Sequence, residues 1–323
     1  VDRCGRQGRD GEDHAILDEA PVSRTLNIAA AQYPLDELQS QAQYEDKISR
    51  WVEDAVAVQA QLLVFPEYGA MELAALAGPE VAADLQGAID AVSERMELQA
   101  GLHARLAKEH GVTIVGASGP VRHADGSATN VARMFHPSGK VGEYAKLMMT
   151  PWERDPWKVS AGPASGLQVF DIGIAKVGLV ICYDIEFPLL SRALAEAGAE
   201  IILAPSNTET ERGYWRVRTG CMARALENQV YTVHSPTVGP AAWCPPVEMN
   251  VGAAGVYAAS DTGFPAGGVM ALGEINKPQW VHAQVDLDLL AGVRQSGGVQ
   301  TFNHWAEQPG AGPLPAARVT KLT

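Results

Sequence analysis

A cysteine at the end of an apolar run has the residue type and position that covalent catalysis needs. The run Lys176–Cys182 predicts a buried strand, and Pro188 then precedes the helical pattern Leu189–Ala199. A strand-to-helix turn presents a nucleophile at a sheet edge, and the next backbone N–H can donate to an oxyanion. A nearby helix N-terminus also favours the thiolate. An ordinary buried core residue is the alternative for Cys182, because free cysteines are often buried.

Two charged residues follow predicted strands in the same way. Glu67 comes directly after Leu62–Phe65, an apolar run that Pro66 stops, and a carboxylate there can act as a base if burial raises its pKa. Lys146 closes the β-like run Val141–Lys146, and a fixed cation stabilises the negative oxygen of a tetrahedral intermediate. For each residue alone, an exposed loop glutamate and a lysine extending from a sheet end stay open as alternatives.

The histidines include no obvious base. His103 and His110 are seven residues apart in the helical run Leu98–His110, which Gly111 is expected to end. This spacing predicts one shared exposed face. Neither histidine has a partner at metal-ligand spacing, so we expect both to be structural and expect no metal site.

The elements that must position these residues alternate along the chain. Pro137–Lys140 separates two β-prone runs and predicts a hairpin, while apolar runs followed by helical patterns predict βα units. Together they predict an α/β protein with mixed sheets covered by helices. We expect residues 1–24 to be an irregular leader, 25–305 one domain, and 306–323 a C-terminal tail.

Four short segments contain or follow these residues in chain order: Phe65-Pro66-Glu67, Lys146 with Pro151 and Glu153, Cys182-Tyr183-Asp184 with Phe187-Pro188, and Arg224-Ala225-Leu226-Glu227-Asn228. They resemble motifs of the nitrilase or carbon–nitrogen hydrolase superfamily, whose Glu–Lys–Cys triad has the same chain order. The resemblance covers roughly residues 26–288.

This resemblance implies a four-layer αββα sandwich and a thioester mechanism. Glu67 would be the base, Cys182 the nucleophile, and Lys146 with the backbone N–H of Tyr183 the oxyanion donors. Glu153 would hold Lys146 and orient the substrate amide; a plain salt bridge is its alternative role. The resemblance implies no metal or organic cofactor, and a homodimer or higher homo-oligomer formed by packing helices.

The family resemblance also bears on the substrate. Cys-Trp-Glu at the nucleophile is typical of true nitrilases, whereas the Cys-Tyr-Asp at residues 182–184 is more usual in amidase-type branches. We therefore expect a small carboxylic amide, with nitrile and N-carbamoyl hydrolysis as alternatives. A catalytically silent binding protein on the same fold is the rival from another class.

The segments Cys182–Pro188, Pro205–Thr208 and Gly213–Arg218 together resemble the branch in which the hydrolase domain is often fused behind an N-acetyltransferase domain. We expect no such domain before the first predicted strand, and Leu189 stands where relatives usually have glutamate. Residues near the motifs that could contact substrate are Tyr68, Trp152, Trp157, Tyr183, Asn207 and Trp215. A core position is the alternative for each aromatic residue.

Composition and charge limit the classes of partner. The 323 residues have a net charge of −13, from 25 basic and 38 acidic side chains, and no cluster of Lys and Arg. A nucleic-acid or anionic-membrane partner needs a basic surface, so we expect neither. No apolar run approaches the roughly 20 residues that span a bilayer. The four separated cysteines favour a reducing cytoplasm over a disulfide framework.

Overall fold

The alternating apolar runs form strands and helices in the computed structural model, which describes residues 23–311 and residue 320. The strands are β1 Thr25–Pro34, β2 Leu62–Val64, β3 Thr113–Val115, β4 Gly119–Arg122, β5 Ala128–Phe135, β6 Val141–Ala145, β7 Val169–Asp171, β8 Lys176–Leu179, β9 Ile201–Ser206, β10 Tyr231–Pro240, β11 Met249–Asn250, β12 Gly255–Tyr257, β13 Val269–Leu272 and β14 Gln279–Asp286. The α-helices are α1 Gln41–Ala57, α2 Glu72–Ala75, α3 Pro79–Ala83, α4 Leu85–Ser93, α5 Met96–His110, α6 Pro151–Arg154, α7 Pro188–Glu196, α8 Glu211–Asn228 and α9 Leu287–Ser296.

The strands make two mixed sheets that meet along a short seam. In the first sheet, β14, β1, β2, β3 and β5 are successive neighbours, and β4 and β6 both pair with β5. In the second, the order is β13, β12, β10, β9, β8 and β7, and β11 also pairs with β10. The seam is a parallel pairing of β1 with β10, at Tyr33 with Thr237 and Pro34 with Val238. The predicted hairpin is confirmed as β5 and β6.

Strand β1 shows that helices cover the first sheet on one side and strands on the other. Ile28 belongs to a core that also contains Leu203 of β9. The next residue, Ala29, belongs to a separate core with Ile48 of α1 and Leu106 of α5. Successive side chains of a strand point to opposite faces, so β1 lies between a helix layer and a strand layer. Each fully buried Ile or Leu contributes about 2 kcal/mol to such cores.

Strand β10 shows the matching arrangement in the second sheet. The Thr232 hydroxyl donates to the Cys221 carbonyl of α8 at 2.9 Å. The Ser235 hydroxyl, on the other face, donates to the carbonyls of Ala31 and Val64 in the first sheet, at 2.9 and 2.8 Å. The layers are therefore helix, sheet, sheet and helix, and the predicted αββα sandwich is confirmed.

Some predictions about local structure need correction. His103 is fully buried, edge-on to Phe65 and stacked on Phe135, so it does not share an exposed face with His110. The strand before Cys182 ends at Leu179, earlier than predicted. Strands β4, β11 and β12 and helix α6 lie outside the predicted elements because each has only two to four residues, too few to show a period. Helix α9 lies outside them as well.

The predicted leader and tail fall largely on residues 1–22, 312–319 and 321–323, which lie outside the described residues. Arg24, assigned to the leader, forms ion pairs with Glu200 at 3.1 Å and Asp288 at 2.9 Å. No helix in the described part of the chain is long and apolar enough to cross a bilayer.

Candidate active site

Glu67 is a buried carboxylate with three hydrogen-bond donors around it. Pro66 ends the β2 segment and leaves Glu67 at the sheet edge, 1% exposed. Its Oε1 accepts from Lys146 Nζ at 2.7 Å and from Asn130 Nδ2 at 2.9 Å, and its Oε2 accepts from the Asn207 backbone N–H at 2.9 Å. Burial opposes the charged form and outweighs the attraction of Lys146, so the pKa of Glu67 rises to about 7.

Lys146 lies between two carboxylates. It follows β6 and is 1% exposed, and its backbone N–H donates to the Asn130 carbonyl at 2.9 Å. Its Nζ also donates to both oxygens of Glu153, at 2.7 and 2.8 Å. Burial alone would lower the pKa of Lys146, but the charges of Glu67 and Glu153 raise it above its ordinary value. Lys146 is therefore a fixed cation.

Glu153 is held in place by the start of a short helix. Thr150 caps α6: its hydroxyl accepts from the Glu153 N–H at 3.3 Å, and the Thr150 N–H donates back to Glu153 Oε2 at 2.8 Å. The Tyr68 hydroxyl donates to Glu153 Oε1 at 2.7 Å. Burial favours the neutral form, but Lys146 and these donors hold the pKa of Glu153 below its usual range. Glu153 therefore stays ionised beside Lys146.

Cys182 occupies a strained turn next to Glu67. Its backbone φ is 47°, in the left-handed region that residues with a Cβ rarely adopt. Cys182 is also the first residue of a 3₁₀ helix, Cys182–Glu186. Its Sγ lies 3.6 Å from the Asn207 carbonyl. Burial, reinforced by the charge of Glu67, raises the pKa of the thiol well above its usual value. The thiol form is therefore favoured, contrary to the expectation that a helix N-terminus favours the thiolate.

Asp184 joins the turn at Cys182 to the segment after Lys146. Its buried carboxylate accepts from the backbone N–H of Ile181 at 3.0 Å, from that of Met148 at 2.7 Å, and from the Tyr144 hydroxyl at 2.8 Å. Two segments from different sheets are thus fixed to one side chain. The sequence motif contains Asp184, but it contains no information about these partners.

The side chains of Glu67, Lys146, Glu153 and Cys182 open onto one cavity of about 220 Å³, which Trp152, Trp157 and Tyr183 also border. Of the predicted substrate contacts, Tyr68, Trp152, Trp157, Tyr183 and Asn207 line it, together with the four predicted catalytic residues.

Trp215 does not line this cavity. It is 51% exposed and stacks on Arg218. Its neighbours Arg216 and Val217 do line the cavity, because successive helical residues point about 100° apart.

Asn130 is a site residue that sequence reasoning missed. It lies inside β5, fully buried, and donates to Glu67 from 63 residues away. A polar residue among buried positions of a strand is the one signal that could have indicated it. Within residues 23–311, no group of three His, Cys, Asp or Glu side chains is placed to hold a metal ion.

Comparisons with known proteins show which proteins the chain is similar to in sequence. A probable hydrolase of Bacillus subtilis is 34% identical over 275 residues, which are 85% of this chain and 52% of that protein. The chain thus spans about half the length of that relative. An omega-amidase of Xenopus laevis is 28% identical over 205 residues, which are 61% of this chain and 68% of that protein.

A solved structure supports the fold. The crystal structure of a carbon-nitrogen hydrolase from Helicobacter pylori G27 matches with a TM-score of 0.69 and 19% identity, over 84% of this chain and 93% of that one. The family model described as carbon-nitrogen hydrolase matches residues 27–294. The predicted resemblance is confirmed, and the chain belongs to the carbon–nitrogen hydrolase family of the nitrilase superfamily.

Proposed function

We propose that this hydrolase converts a small carboxylic amide to the acid and ammonia through a thioester on Cys182. The observation that carries the proposal is the buried Glu67 carboxylate, which lies beside both Lys146 and the thiol and has a pKa near 7. A base with such a pKa is half-ionised at neutral pH, so it can accept a proton and return it.

Acylation follows from the three side chains. The Glu67 carboxylate takes the proton of the Cys182 thiol, and the sulfur attacks the amide carbon, forming a C–S bond. The C=O electron pair moves to oxygen, where Lys146 and the Tyr183 backbone N–H stabilise the negative charge. When the C–N bond breaks, protonated Glu67 gives its proton to the nitrogen. Ammonia leaves and Glu67 is again a carboxylate.

Deacylation uses the same base. Glu67 takes a proton from water while the oxygen attacks the thioester carbon, and the oxyanion again lies beside Lys146. Collapse of this intermediate breaks the C–S bond, and Glu67 returns the proton to sulfur. The carboxylic acid leaves, and the thiol and carboxylate are restored.

An amide is favoured over a nitrile or an N-carbamoyl compound for two reasons. The Xenopus relative carries an amidase name, and Cys182 is followed by Tyr183 and Asp184, as in amidase-type branches.

Cavity size and charge limit the acyl group. A volume of about 220 Å³ lies below the range of about 300–1,000 Å³ that holds drug-sized ligands. At its opening, Glu186 pairs with Arg216 at 3.3 Å, while Glu209 forms no ion pair among the described residues. The opening is therefore net negative. It disfavours amides whose far end is a carboxylate.

The test is a panel of short amides, nitriles and carbamoyl compounds, with ammonia release and the intact mass of the protein as readouts. We expect ammonia from a short aliphatic amide and a mass increase on Cys182 that matches the acyl group. Cys182→Ala should remove both while the circular dichroism spectrum stays unchanged. Equal ammonia release by Cys182→Ala would show that the thioester mechanism is wrong.

We also propose a homodimer through α7 and α8. These helices expose large apolar side chains, Leu189 at 71%, Trp215 at 51% and Leu226 at 45%. Exposed apolar groups grouped on one surface are typical of protein contacts. Sedimentation velocity tests the proposal: Leu226→Glu with Trp215→Glu should shift the protein to the monomer mass. A wild-type monomer at micromolar concentration would contradict it.

A further inference from the structure

The backbone of Asn207 contacts both partners of the proposed proton transfer. Its N–H donates to Glu67 Oε2 at 2.9 Å, and its carbonyl lies 3.6 Å from Cys182 Sγ. Asn207 stands in the turn between β9 and α8. The orientation of this one residue therefore determines whether the N–H reaches the carboxylate and the carbonyl reaches the thiol.

The side chain of Asn207 anchors this turn to the far end of β10. Its Nδ2 donates to the Thr237 hydroxyl at 2.7 Å and to Asn250 Oδ1. Beside it, the Val251 N–H donates to the Thr208 carbonyl, and the Thr208 hydroxyl donates to the Val251 carbonyl, both at 2.8 Å. We call the contacts of Asn207 and Thr208 with Thr237, Asn250 and Val251 the turn clip.

Asn250 extends the turn clip to the wall of the cavity. It is 1% exposed, and its Nδ2 donates to the carbonyls of Gly239 and Val247, each at 2.9 Å. Val247 follows Pro246, which lines the cavity. Both N–H groups of each asparagine amide have an acceptor, so the network is satisfied and rigid.

We propose that Asn250 and Thr237 are positioning residues, which hold the Asn207 backbone so that its N–H supports the ionised form of the general base. Neither residue touches the reacting atoms. The proposal rests on the function proposed above, because it assumes that Glu67 is the base for Cys182.

Opening the turn clip should change the pH dependence of Cys182 reactivity, which the loss of a merely structural contact would not do. A hydrogen bond to a carboxylate favours its charged form. If the Asn207 N–H moves away, the pKa of Glu67 rises further and the acid limb of Cys182 reactivity moves to higher pH. Loss of one such hydrogen bond raises the pKa of the carboxylate by about one unit, so the reactivity of Cys182 at pH 6 falls about tenfold.

The experiment follows alkylation of Cys182 by iodoacetamide as a function of pH, read from the mass of the peptide that contains Cys182. Asn250→Ala and Thr237→Val both open the turn clip, and the Val251 contacts remain to hold the fold. Thr237→Ser keeps the hydroxyl and should restore the wild-type profile. Asn276→Gly is the matched control, because it removes a 2.9 Å bond to the Gly252 N–H in the same segment without contacting Asn207.

We expect the midpoint of the acid limb to rise by about one unit in Asn250→Ala and Thr237→Val, and to stay unchanged in Thr237→Ser and Asn276→Gly. A wild-type midpoint in folded Asn250→Ala and Thr237→Val would overturn the positioning proposal and leave the proposed function intact. If wild-type Cys182 reacted with no acid limb near pH 7, both proposals would be wrong. Because alkylation needs no amide turnover, the two failures are distinguishable.

Discussion

Replacement of Glu153 by glutamine should move the acid limb of activity to lower pH. In the wild type, the shortest distances from Lys146 Nζ to a Glu67 oxygen and to a Glu153 oxygen are both 2.7 Å. These two oxygens are thus at most twice that distance apart, about 5.4 Å. The charge of Glu153 raises the pKa of Glu67, and its removal leaves Lys146 to interact with Glu67 alone.

The size of this shift follows from Coulomb's law. Two unit charges about 5.4 Å apart repel each other by about 3 kcal/mol at an effective dielectric constant of about 20. This repulsion corresponds to roughly two pKa units. The acid limb of kcat/KM should therefore move from near pH 7 to near pH 5. The limiting rate should also fall, because the glutamine amide N–H must face either Lys146 or the Thr150 N–H.

The assay is ammonia release from a short aliphatic amide, measured as kcat/KM between about pH 4 and pH 9, alongside iodoacetamide alkylation of Cys182. Tyr68→Phe is the matched control: it removes a hydrogen bond to Glu153 and leaves all charges in place. We expect its midpoint to stay much closer to that of the wild type. An unchanged or raised midpoint in Glu153→Gln would refute the assignment of Glu67 as the titrating base.

Three further predictions concern other groups. Asn130→Leu removes the 2.9 Å donor to Glu67, so the acid limb of kcat/KM should move up by about one pH unit; an unchanged midpoint would exclude a role for this bond. Burial lowers the pKa of His103 from 6.5 to about 4, so the unfolded chain binds a proton at His103 more readily than the folded protein does. The free energy of unfolding is therefore highest above pH 6.5 and decreases as the pH falls towards 4. Urea melts of His103→Asn should accordingly show a weaker pH dependence in this window, by up to about 3 kcal/mol, and parallel curves would contradict this. Glu209→Gln should improve kcat/KM for an amide that ends in a carboxylate by up to about fivefold, relative to kcat/KM for an amide that ends in a methyl group. The control Trp215→Ala should leave kcat/KM for both amides within about twofold of the wild type. Equal effects of the two substitutions would contradict the argument from the charge of the cavity opening.

The parts of the site that could be predicted are those that neighbouring residues determine. Glu67, Lys146 and Cys182 each follow an apolar run, and the edge of a sheet is where such residues are brought together. Local patterns also predicted the β5–β6 hairpin and the left-handed Gly111 that ends α5, both of which are confirmed.

The parts that could not be predicted depend on contacts between distant segments. Asn130 reaches Glu67 across 63 residues, and Asn207 reaches Asn250 across 43. No local period or spacing contains these pairings. The prediction that Trp215 contacts substrate is not supported, for a different reason. Closeness in sequence does not specify the rotation of a helix, and Trp215 lies outside the cavity that its neighbours Arg216 and Val217 line.

The position of β14 predicts that the site is assembled late in the synthesis of the chain. This strand pairs with β1 over eight residues, from Gln279 to Asp286, and completes the sheet that provides Glu67 and Lys146. Cys182 follows β8 of the other sheet and leaves the ribosome about a hundred residues before Gln279. We therefore expect a nascent chain stalled before Gln279 to contain Cys182 as an unassembled thiol, whose alkylation by iodoacetamide has the midpoint of an ordinary cysteine, about pH 8.5, rather than one near pH 7. Wild-type alkylation kinetics in such a stalled chain would show that the base and the nucleophile meet before the sheet is closed.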